Sequence, residues 1–438
     1  MGNMAKNNRY FVSVALTVLV AFDAWANDVP RARPEDVGFD ATRVSRMDRI
    51  LANEVDRGEM AGIVILIARH GKIIHLNAIG YRDIAKQRKL EADSIFRIYS
   101  MTKPITSVAL MMLYEEGRFQ LTDPVMKYIP EFANLRVLRN HEGPADDTVP
   151  VVHAPTIQDI MRHTAGLTHG LDSADVTDSQ YIKANVLGVD VSLADEMTRL
   201  SKIPLRYQPG TRFVYSIGPD VQARLVEVLS GMSFDEFLAK RLFGPLGMSD
   251  TGFWVPAEKA SRLATVYWDK DGKLVPLDEV HGHPAGSVVM EPSSVNSYSA
   301  DHKRKGGAFG LVSTAEDYWR FAQMILNGGV LDGTRILGPQ TVDYMSLNHL
   351  GSIPMEALDG RPSGLGFGLG FAVIEDPAQV GYTSNAGSLF WWGLADTYFW
   401  VDPKEDLVVV AMTQHMNVPA ADALLGQLRA LVYSALIR

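Results

Sequence analysis

The sequence has no cysteine among its 438 residues. Disulfide bonds, zinc sites built on thiolates and catalytic thiols are therefore excluded. The absence of free thiols also suits an oxidising compartment, although many proteins of reducing compartments share it.

Positive charge is scarce as well: 42 Lys and Arg residues stand against 51 Asp and Glu residues, a formal net charge of −9. This balance, without a long basic run, argues against a nucleic-acid partner and against capture by anionic membranes. Hydrophobic residues make up 47% of the chain and aromatic residues 9%, which describes an ordinary globular protein with a large core. A chain of this length is expected to divide into two domains.

The first 26 residues differ from the rest. Lys6 and Arg9 precede the apolar run FVSVALTVLVAF, and Ala24-Trp25-Ala26 follows it. The pattern predicts a secretory signal peptide over residues 1–26, cleaved after Ala26, and hence a periplasmic or secreted protein. The alternative is an uncleaved anchor or a buried N-terminal helix, although the run is short for a membrane span. Without a cysteine to carry a lipid, the mature chain would have no stable membrane anchor.

Hydrophobic periodicity divides the mature chain into contrasting segments. Residues 40–60 have helical spacing behind an Asp40 cap. Residues 61–83 contain two β-rich runs around His70-Gly71, which predict a hairpin. Strand signals then largely disappear over residues 105–300, where short helices alternate with loops, and they return towards the C-terminus.

This arrangement predicts an α+β fold, an α/β sandwich with a mainly antiparallel sheet that both chain ends build and helices flank. The predicted α/β domain comprises residues 27–105 and 300–438, and a helical domain, residues 106–299, is inserted between them. A cleft between two such domains is a common place for a ligand.

The segment IYSMTKP, residues 98–104, contains a serine and a lysine three residues apart. Pro104 fits the first turn of a helix, so Ser100 and Lys103 would share one helix face, with Cβ atoms about 5–6 Å apart. A serine hydroxyl becomes a nucleophile when a base removes its proton, and a buried lysine of lowered pKa can be that base. The spacing alone also fits a capping serine beside a solvated lysine.

Two further segments carry residues suited to such chemistry. In PGTRFVYSIGP, Tyr215 precedes a helix, where its phenol could relay a proton. In SNAGSLFWWGL, the pair Trp391-Trp392 and Gly393 lie at the start of a predicted strand. A glycine there lets the backbone approach a ligand, and the N–H of Leu394 could donate to an oxyanion. A core tyrosine and an aromatic core strand are the alternatives.

Three motifs of this chain resemble, in their order and approximate spacing, those of the serine β-lactamase and penicillin-binding-protein superfamily. They are Ser100-x-x-Lys103, Tyr215-Ser216 and Trp391-Trp392-Gly393. Within it the chain looks most like the family VIII carboxylesterases, the esterases similar to class C β-lactamases. Segments such as MRHTAGLTHG, FGPLGMSDTGF and GLVSTAEDY extend the resemblance over residues 35–415. The resemblance implies the architecture described above, no metal and no cofactor.

The resemblance also implies a role for each matching residue. Ser100 would be the acylated nucleophile, Lys103 its general base and Tyr215 a proton shuttle. The backbone N–H groups of Ser100 and Leu394 would form the oxyanion hole. The substrate would contact Trp391, Trp392, Gly393 and Ile217.

Two positions depart from the pattern of the lactamases and penicillin-binding proteins. Their third motif usually supplies a cation, and here Trp391 replaces it; their second motif usually has an asparagine where Ile217 stands. Because buried charges need partners, an anionic β-lactam or peptide C-terminus should fit poorly and a neutral ester better. W-x-G is also the pattern of the esterase branch.

We therefore expect an exported serine hydrolase that cleaves small-molecule carboxylic esters through an acyl-enzyme. The alternatives are a β-lactamase, a D-amino-acid peptidase or amidase of the same superfamily, and a non-catalytic penicillin-binding protein. The sequence has neither the G-x-S-x-G elbow of α/β-hydrolases nor an H-E-x-x-H motif. We interpret His281-Gly282-His283 as a polar loop rather than a metal site, and His163 as structural.

Overall fold

The computed structural model describes residues 1–2, 29–279, 298, 300–355, 364–416 and 421–437. The predicted signal peptide beyond its first two residues and the His281-Gly282-His283 segment lie outside these ranges. Within the described ranges, no helix combines the length and the apolar character that crossing a membrane requires.

Helices are distributed along the whole described chain. The α-helices are α1 (Ala41–Asp56), α2 (Thr102–Glu115), α3 (Ile157–Met161), α4 (Val176–Lys183), α5 (Leu193–Leu200), α6 (Gly218–Ser230), α7 (Phe234–Leu238), α8 (Gly244–Leu246), α9 (Ala315–Leu326), α10 (Pro339–Met345), α11 (Pro377–Val380) and α12 (Ala421–Ser434). Short 3-10 helices occupy Pro34–Val37, Tyr99–Met101, Val125–Lys127, Pro130–Asn134, Ala257–Arg262 and Leu277–Glu279, and a π-helical turn occupies Ala239–Phe243.

Strands concentrate near the two ends of the chain. They are β1 (Gly62–Arg69), β2 (Lys72–Asp83), β3 (Arg88–Lys89), β4 (Phe96–Arg97), β5 (Arg136–Leu138), β6 (Thr148–Pro150), β7 (Tyr267–Lys270), β8 (Lys273–Pro276), β9 (Val312–Ser313), β10 (Val330–Leu331), β11 (Thr334–Arg335), β12 (Leu365–Phe367), β13 (Ala372–Ile374), β14 (Leu389–Gly393), β15 (Thr397–Asp402), β16 (Leu407–Met412) and β17 (His415–Met416).

Eight strands form one sheet in the order β12-β13-β14-β15-β16-β1-β2-β3. Every neighbouring pair in it is antiparallel. The two ends of the chain meet where β1 pairs with β16, with Val64 opposite Met412. The predicted fold class, an antiparallel sheet built from both chain ends and flanked by helices, is confirmed.

The predicted hairpin at His70-Gly71 joins β1 to β2 and places Arg69 opposite Lys72. His70 has φ 54° and Gly71 has φ 70°. Two successive left-handed residues are what a tight turn between twisted strands requires, and glycine adopts that conformation without strain.

Helices cover both faces of the sheet. α1 packs on β2 and on α12, whereas α9 packs on β1, β15 and β16. The Asp40 side chain caps α1 by accepting the N–H groups of Thr42 and Arg43. Because both faces are covered, β1, β15 and β16 are buried along nearly their whole length.

The middle of the chain is mostly helical, as expected, but it is not free of strands. β5 pairs with β6, and β7 pairs both with β8 and with β17 near the C-terminus. Strands of three or four residues are too short to produce a reliable alternating pattern, which is why the sequence did not indicate them. The division into two domains with a boundary at residue 299 stays a prediction.

Candidate active site

Ser100 lies in the 3-10 turn that leads directly into α2, at the predicted helix N-terminus. The turn closes where the Met101 N–H donates to the Ile98 carbonyl at 2.9 Å. Tyr99 has φ 42°, a left-handed conformation that is strained for a bulky residue. Such strain persists only where surrounding structure imposes it, and it clusters at functional sites. Ser100 itself remains half-buried.

Lys103 lies on the same side of this helix start as Ser100. Its Nζ is 3.1 Å from Ser100 Oγ and donates to the Ala308 carbonyl at 2.8 Å. Only 4% of the residue is exposed. The structure therefore places a lysine amine within hydrogen-bonding distance of a serine hydroxyl and away from bulk water.

The surroundings of Lys103 favour its neutral form. Burial lowers its pKa from the ordinary 10.5 to about 7; the Asp220 carboxylate opposes this shift, and the Arg304 guanidinium adds to it. A lysine with this pKa is largely unprotonated just above neutral pH, so it can accept the proton of a neighbouring hydroxyl. The alternative of a solvated lysine is wrong.

Tyr215 lies in the loop before α6 and faces Lys103. Its ring centre is 4.5 Å from Lys103 Nζ, 5.1 Å from the His163 ring and 5.3 Å from the Trp391 ring. The residue is half-buried, so it is not an ordinary core tyrosine. All three sequence motifs thus meet at one place.

His163 supports the loop that carries Tyr215. Its Nδ1 is 2.8 Å from the hydroxyl oxygen of Ser216, and its carbonyl accepts the N–H of Val214. Burial lowers the pKa of His163 well below 6.5, so its ring is neutral. This placement agrees with the structural role interpreted from the sequence.

The third motif forms the last three residues of β14, followed by Leu394. The expectation that it begins a strand is wrong, because the chain turns directly after it. A Cβ atom on Gly393 would lie 2.4 Å from the Ile98 carbonyl oxygen, so only glycine permits this approach. Since Ile98 directly precedes the turn that carries Ser100, the end of β14 lies against that turn.

The four predicted substrate contacts differ in exposure. Trp392 is half-buried, whereas Trp391 is 1% exposed and Gly393 is buried. Ile217 is completely buried, and its N–H donates to the Thr168 carbonyl at 3.0 Å. Its contact with substrate stays a prediction that this burial does not support.

Sequence reasoning missed the segment that closes the site over Lys103. Ala308, within the run GGAFG, supplies the carbonyl that accepts from the lysine. A Cβ atom on Gly307 would lie 2.3 Å from the Pro219 carbonyl oxygen, so this segment lies directly against the start of α6. The cluster of glycines was the signal that could have indicated a close backbone approach.

The family model named Beta-lactamase matches residues 47–434. The chain belongs to the beta-lactamase family. It is a hydrolase of that fold with esterases among its relatives, as the sequence motifs predicted.

Three proteins similar to this chain show how far the similarity extends. An uncharacterized protein of Mycobacterium tuberculosis is 36% identical over 382 residues, covering 85% of this chain and 90% of that protein. Esterase EstB of Burkholderia gladioli is 31% identical over 408 residues, covering 90% of this chain and 96% of the esterase. The solved structure of EstCE1, described as a hydrolase with promiscuous acyltransferase activity, is 25% identical with a TM-score of 0.73, covering 90% and 99% of the two chains.

Proposed function

We propose that this beta-lactamase-family protein is a serine carboxylesterase with Ser100 as nucleophile, Lys103 as general base and Tyr215 as proton shuttle. The observation that carries the proposal is the 3.1 Å contact between Lys103 Nζ and Ser100 Oγ. The lowered pKa of the lysine, about 7, lets this contact transfer a proton at neutral pH.

The reaction proceeds in two halves. Neutral Lys103 takes the Ser100 proton while Oγ bonds to the ester carbonyl carbon, and the N–H groups of Ser100 and Leu394 stabilise the oxyanion. The carbon–alkoxide bond then breaks, and the alcohol leaves with the proton that Tyr215 relays from Lys103. Water next attacks the acyl-enzyme and gives its proton to the same base. The acid departs, and the proton returns to Oγ.

A neutral ester suits the apolar surroundings of the site. Trp391 stands where related lactamases have a cation, and its ring packs against Tyr215 and Phe367, each with a centre-to-centre distance of 5.3 Å. An anionic substrate group placed there would lose hydration without gaining a charged partner. The 31% identity to the esterase EstB supports the same choice, although a putative D-alanyl-D-alanine carboxypeptidase of Salmonella typhimurium is also similar, at 25% identity.

We also propose that the protein is exported and that its mature chain begins near Asn27. The basic and apolar pattern of residues 1–26 supports this. N-terminal sequencing of the protein from the periplasm or medium of an expressing cell tests it. Unprocessed chain confined to the cytoplasm would contradict it.

The esterase proposal is tested by mixing the protein with a neutral p-nitrophenyl ester and, separately, with a cephalosporin. Product is followed by absorbance and the protein by intact mass. For Ser100→Ala we expect ester turnover to fall by at least about 10⁴-fold, since the nucleophile is lost, and no acyl adduct to form. Ser45→Ala, on the exposed face of α1, is the matched control and should behave as wild type.

Two outcomes would contradict the proposal. Ester turnover that survives in Ser100→Ala would remove the nucleophile assignment. A stable cephalosporin adduct on Ser100 without ester turnover would point instead to a penicillin-binding role.

A further inference from the structure

A buried ionic cluster is connected to Lys103 through the backbone of Ala308. It comprises Glu196 of α5, Asp220 of α6 and Arg304. Arg304 donates through Nη2 to Asp220 and through Nε to Glu196, the latter at 3.3 Å. Both carboxylate side chains are fully buried and the Arg304 side chain is 7% exposed.

Asp220 is linked to the lysine through one residue. Its Oδ1 accepts the Ala308 N–H at 2.8 Å, and the carbonyl of the same Ala308 accepts from Lys103 Nζ at 2.8 Å. Asp220 therefore fixes the position of Ala308, and Ala308 in turn fixes the position of the Lys103 amine. The neighbouring Gly307 carbonyl accepts from the Thr106 hydroxyl, also at 2.8 Å, which ties the segment to α2.

The charges of the cluster balance when one carboxyl is protonated. Burial, and then the Asp220 carboxylate, raise the pKa of Glu196 well above its ordinary value, which favours its neutral form. One carboxylate then faces one guanidinium. Replacing such a buried pair by apolar side chains is often neutral or stabilising, so stability alone does not account for its presence beside Lys103.

We propose that Asp220, held by Arg304 and Glu196, is a positioning residue that fixes the Ala308 carbonyl against Lys103 and so keeps the base directed at Ser100. The inference rests on the proposed role of Lys103 as general base. Asp220 acts through Ala308 and does not itself contact the reacting atoms.

Two variants separate the hydrogen bond of Asp220 from its charge. Asp220→Ala removes both, and we expect kcat to fall roughly 10- to 100-fold because the base is displaced by a fraction of an ångström to an ångström, with KM changed less than about threefold. Asp220→Asn keeps an oxygen for the Ala308 N–H, so kcat on the alkaline plateau should stay within about threefold of wild type.

The effect of the Asp220 charge is measured separately, by the pH at which kcat/KM falls on the acidic side of its pH profile (the acidic limb). The titratable and charged groups around the Lys103 amine are Ser100, His163, His169, Tyr215, Asp220 and Arg304. Because the Asp220 carboxylate raises the pKa of Lys103, Asp220→Asn should move this limb to lower pH. His169, paired with Asp178, titrates in both enzymes and does not affect the difference.

Asp250→Asn is the matched control, since it removes a partly buried carboxylate that pairs with Arg262 elsewhere. It should lower thermal stability without changing kcat or the limb. All rates are divided by the concentration of active sites that an ester can acylate. Loss of folded protein is therefore not counted as a loss of kcat.

Three results would overturn the inference. One is Asp220→Ala with wild-type kcat; another is Asp220→Asn with a plateau kcat as low as that expected of Asp220→Ala, since the hydrogen bond to the Ala308 N–H would then not be what positions the base, and this result decides the matter even if Asp220→Ala does not fold. In both cases an inactive Lys103→Ala enzyme shows that the base assignment itself stands. An active Lys103→Ala enzyme would instead overturn the proposed function and this inference together.

Discussion

Lys103 Nζ lies 4.5 Å from the centre of the Tyr215 ring, over its face. The ring is held in turn by the rings of His163 and Trp391. When Lys103 accepts a proton it becomes a cation, and the face of the Tyr215 ring stabilises that cation by electrostatic attraction. The ring and the hydroxyl of Tyr215 therefore make separable contributions.

Replacing Tyr215 by Phe keeps the ring and removes the hydroxyl. We expect kcat for a neutral ester to fall about 10²- to 10⁴-fold, the range in which a positioned proton-transfer group contributes, with thermal stability nearly unchanged. Steady-state kinetics and thermal unfolding on the same preparation measure both. Tyr81→Phe is the control, since Lys89 Nζ lies 3.6 Å from the Tyr81 ring centre outside the site. Wild-type kcat in Tyr215→Phe would contradict the shuttle role.

The lowered pKa of Lys103 predicts the pH dependence of the reaction. Its folded-state pKa is about 7, so the base is protonated and inactive below this pH. We expect kcat/KM to rise through about pH 7 to a plateau. His163, whose pKa is well below 6.5, stays neutral over this range. Two esters with different leaving groups should show the rise in kcat/KM at the same pH. A rise near pH 10 would show that the pKa of Lys103 is not lowered.

The parts of the fold set by local patterns could be predicted from the sequence. The β1–β2 hairpin follows from His70-Gly71 at a tight turn, and α1 begins where Asp40 can cap it. The pairing of β7 with β17 could not be predicted, since it joins residues distant in sequence through strands of four and two residues. The end of β14 at the third motif was missed because the turn after it, over Leu394, Ala395 and Asp396, has only Asp396, at φ 57°, as a typical turn residue.

The site was predictable where side chains carry its chemistry. Ser100, Lys103 and Tyr215 each stand near a helix start with a recognisable neighbour such as proline. The Ala308 carbonyl is a backbone group in a loop, and the flanking glycines indicate a close backbone approach without identifying the group that Ala308 contacts. Asp220 and Arg304 each resemble an ordinary surface charge in sequence, and only tertiary structure reveals that they are buried together.

Gly393→Ala tests the approach of β14 to the nucleophile turn. The new Cβ would lie 2.4 Å from both the Ile98 carbonyl oxygen and Thr397 Oγ1, so the backbone must move. We expect about 1–3 kcal/mol of destabilisation from this overpacking, and a fall in kcat of roughly 10- to 100-fold as the oxyanion donors shift. Gly426→Ala, where a Cβ meets nothing within 4 Å, is the control. Wild-type kcat in Gly393→Ala would argue against an oxyanion role for Leu394.

The burial that lowers the pKa of Lys103 for catalysis should also destabilise the folded protein. The pKa of Lys103 is depressed from 10.5 to about 7 by burial, so folding disfavours the protonated amine. Below pH 7 both states carry the proton and the whole cost is present. Between these two pKa values only the unfolded state stays protonated, so the cost shrinks as pH rises and disappears above 10.5.

Replacing Lys103 by Met removes this pH-dependent cost and the activity together. The variant's stability relative to wild type should therefore be most favourable at or below pH 7 and should lose about 2–3 kcal/mol between pH 7 and pH 9. Urea unfolding of both proteins at the two pH values measures the difference, with the exposed Lys183→Met as control for a lysine of ordinary surroundings. A difference that does not change with pH would mean that Lys103 is not held largely neutral in the folded protein, and the general-base assignment would lose its physical basis.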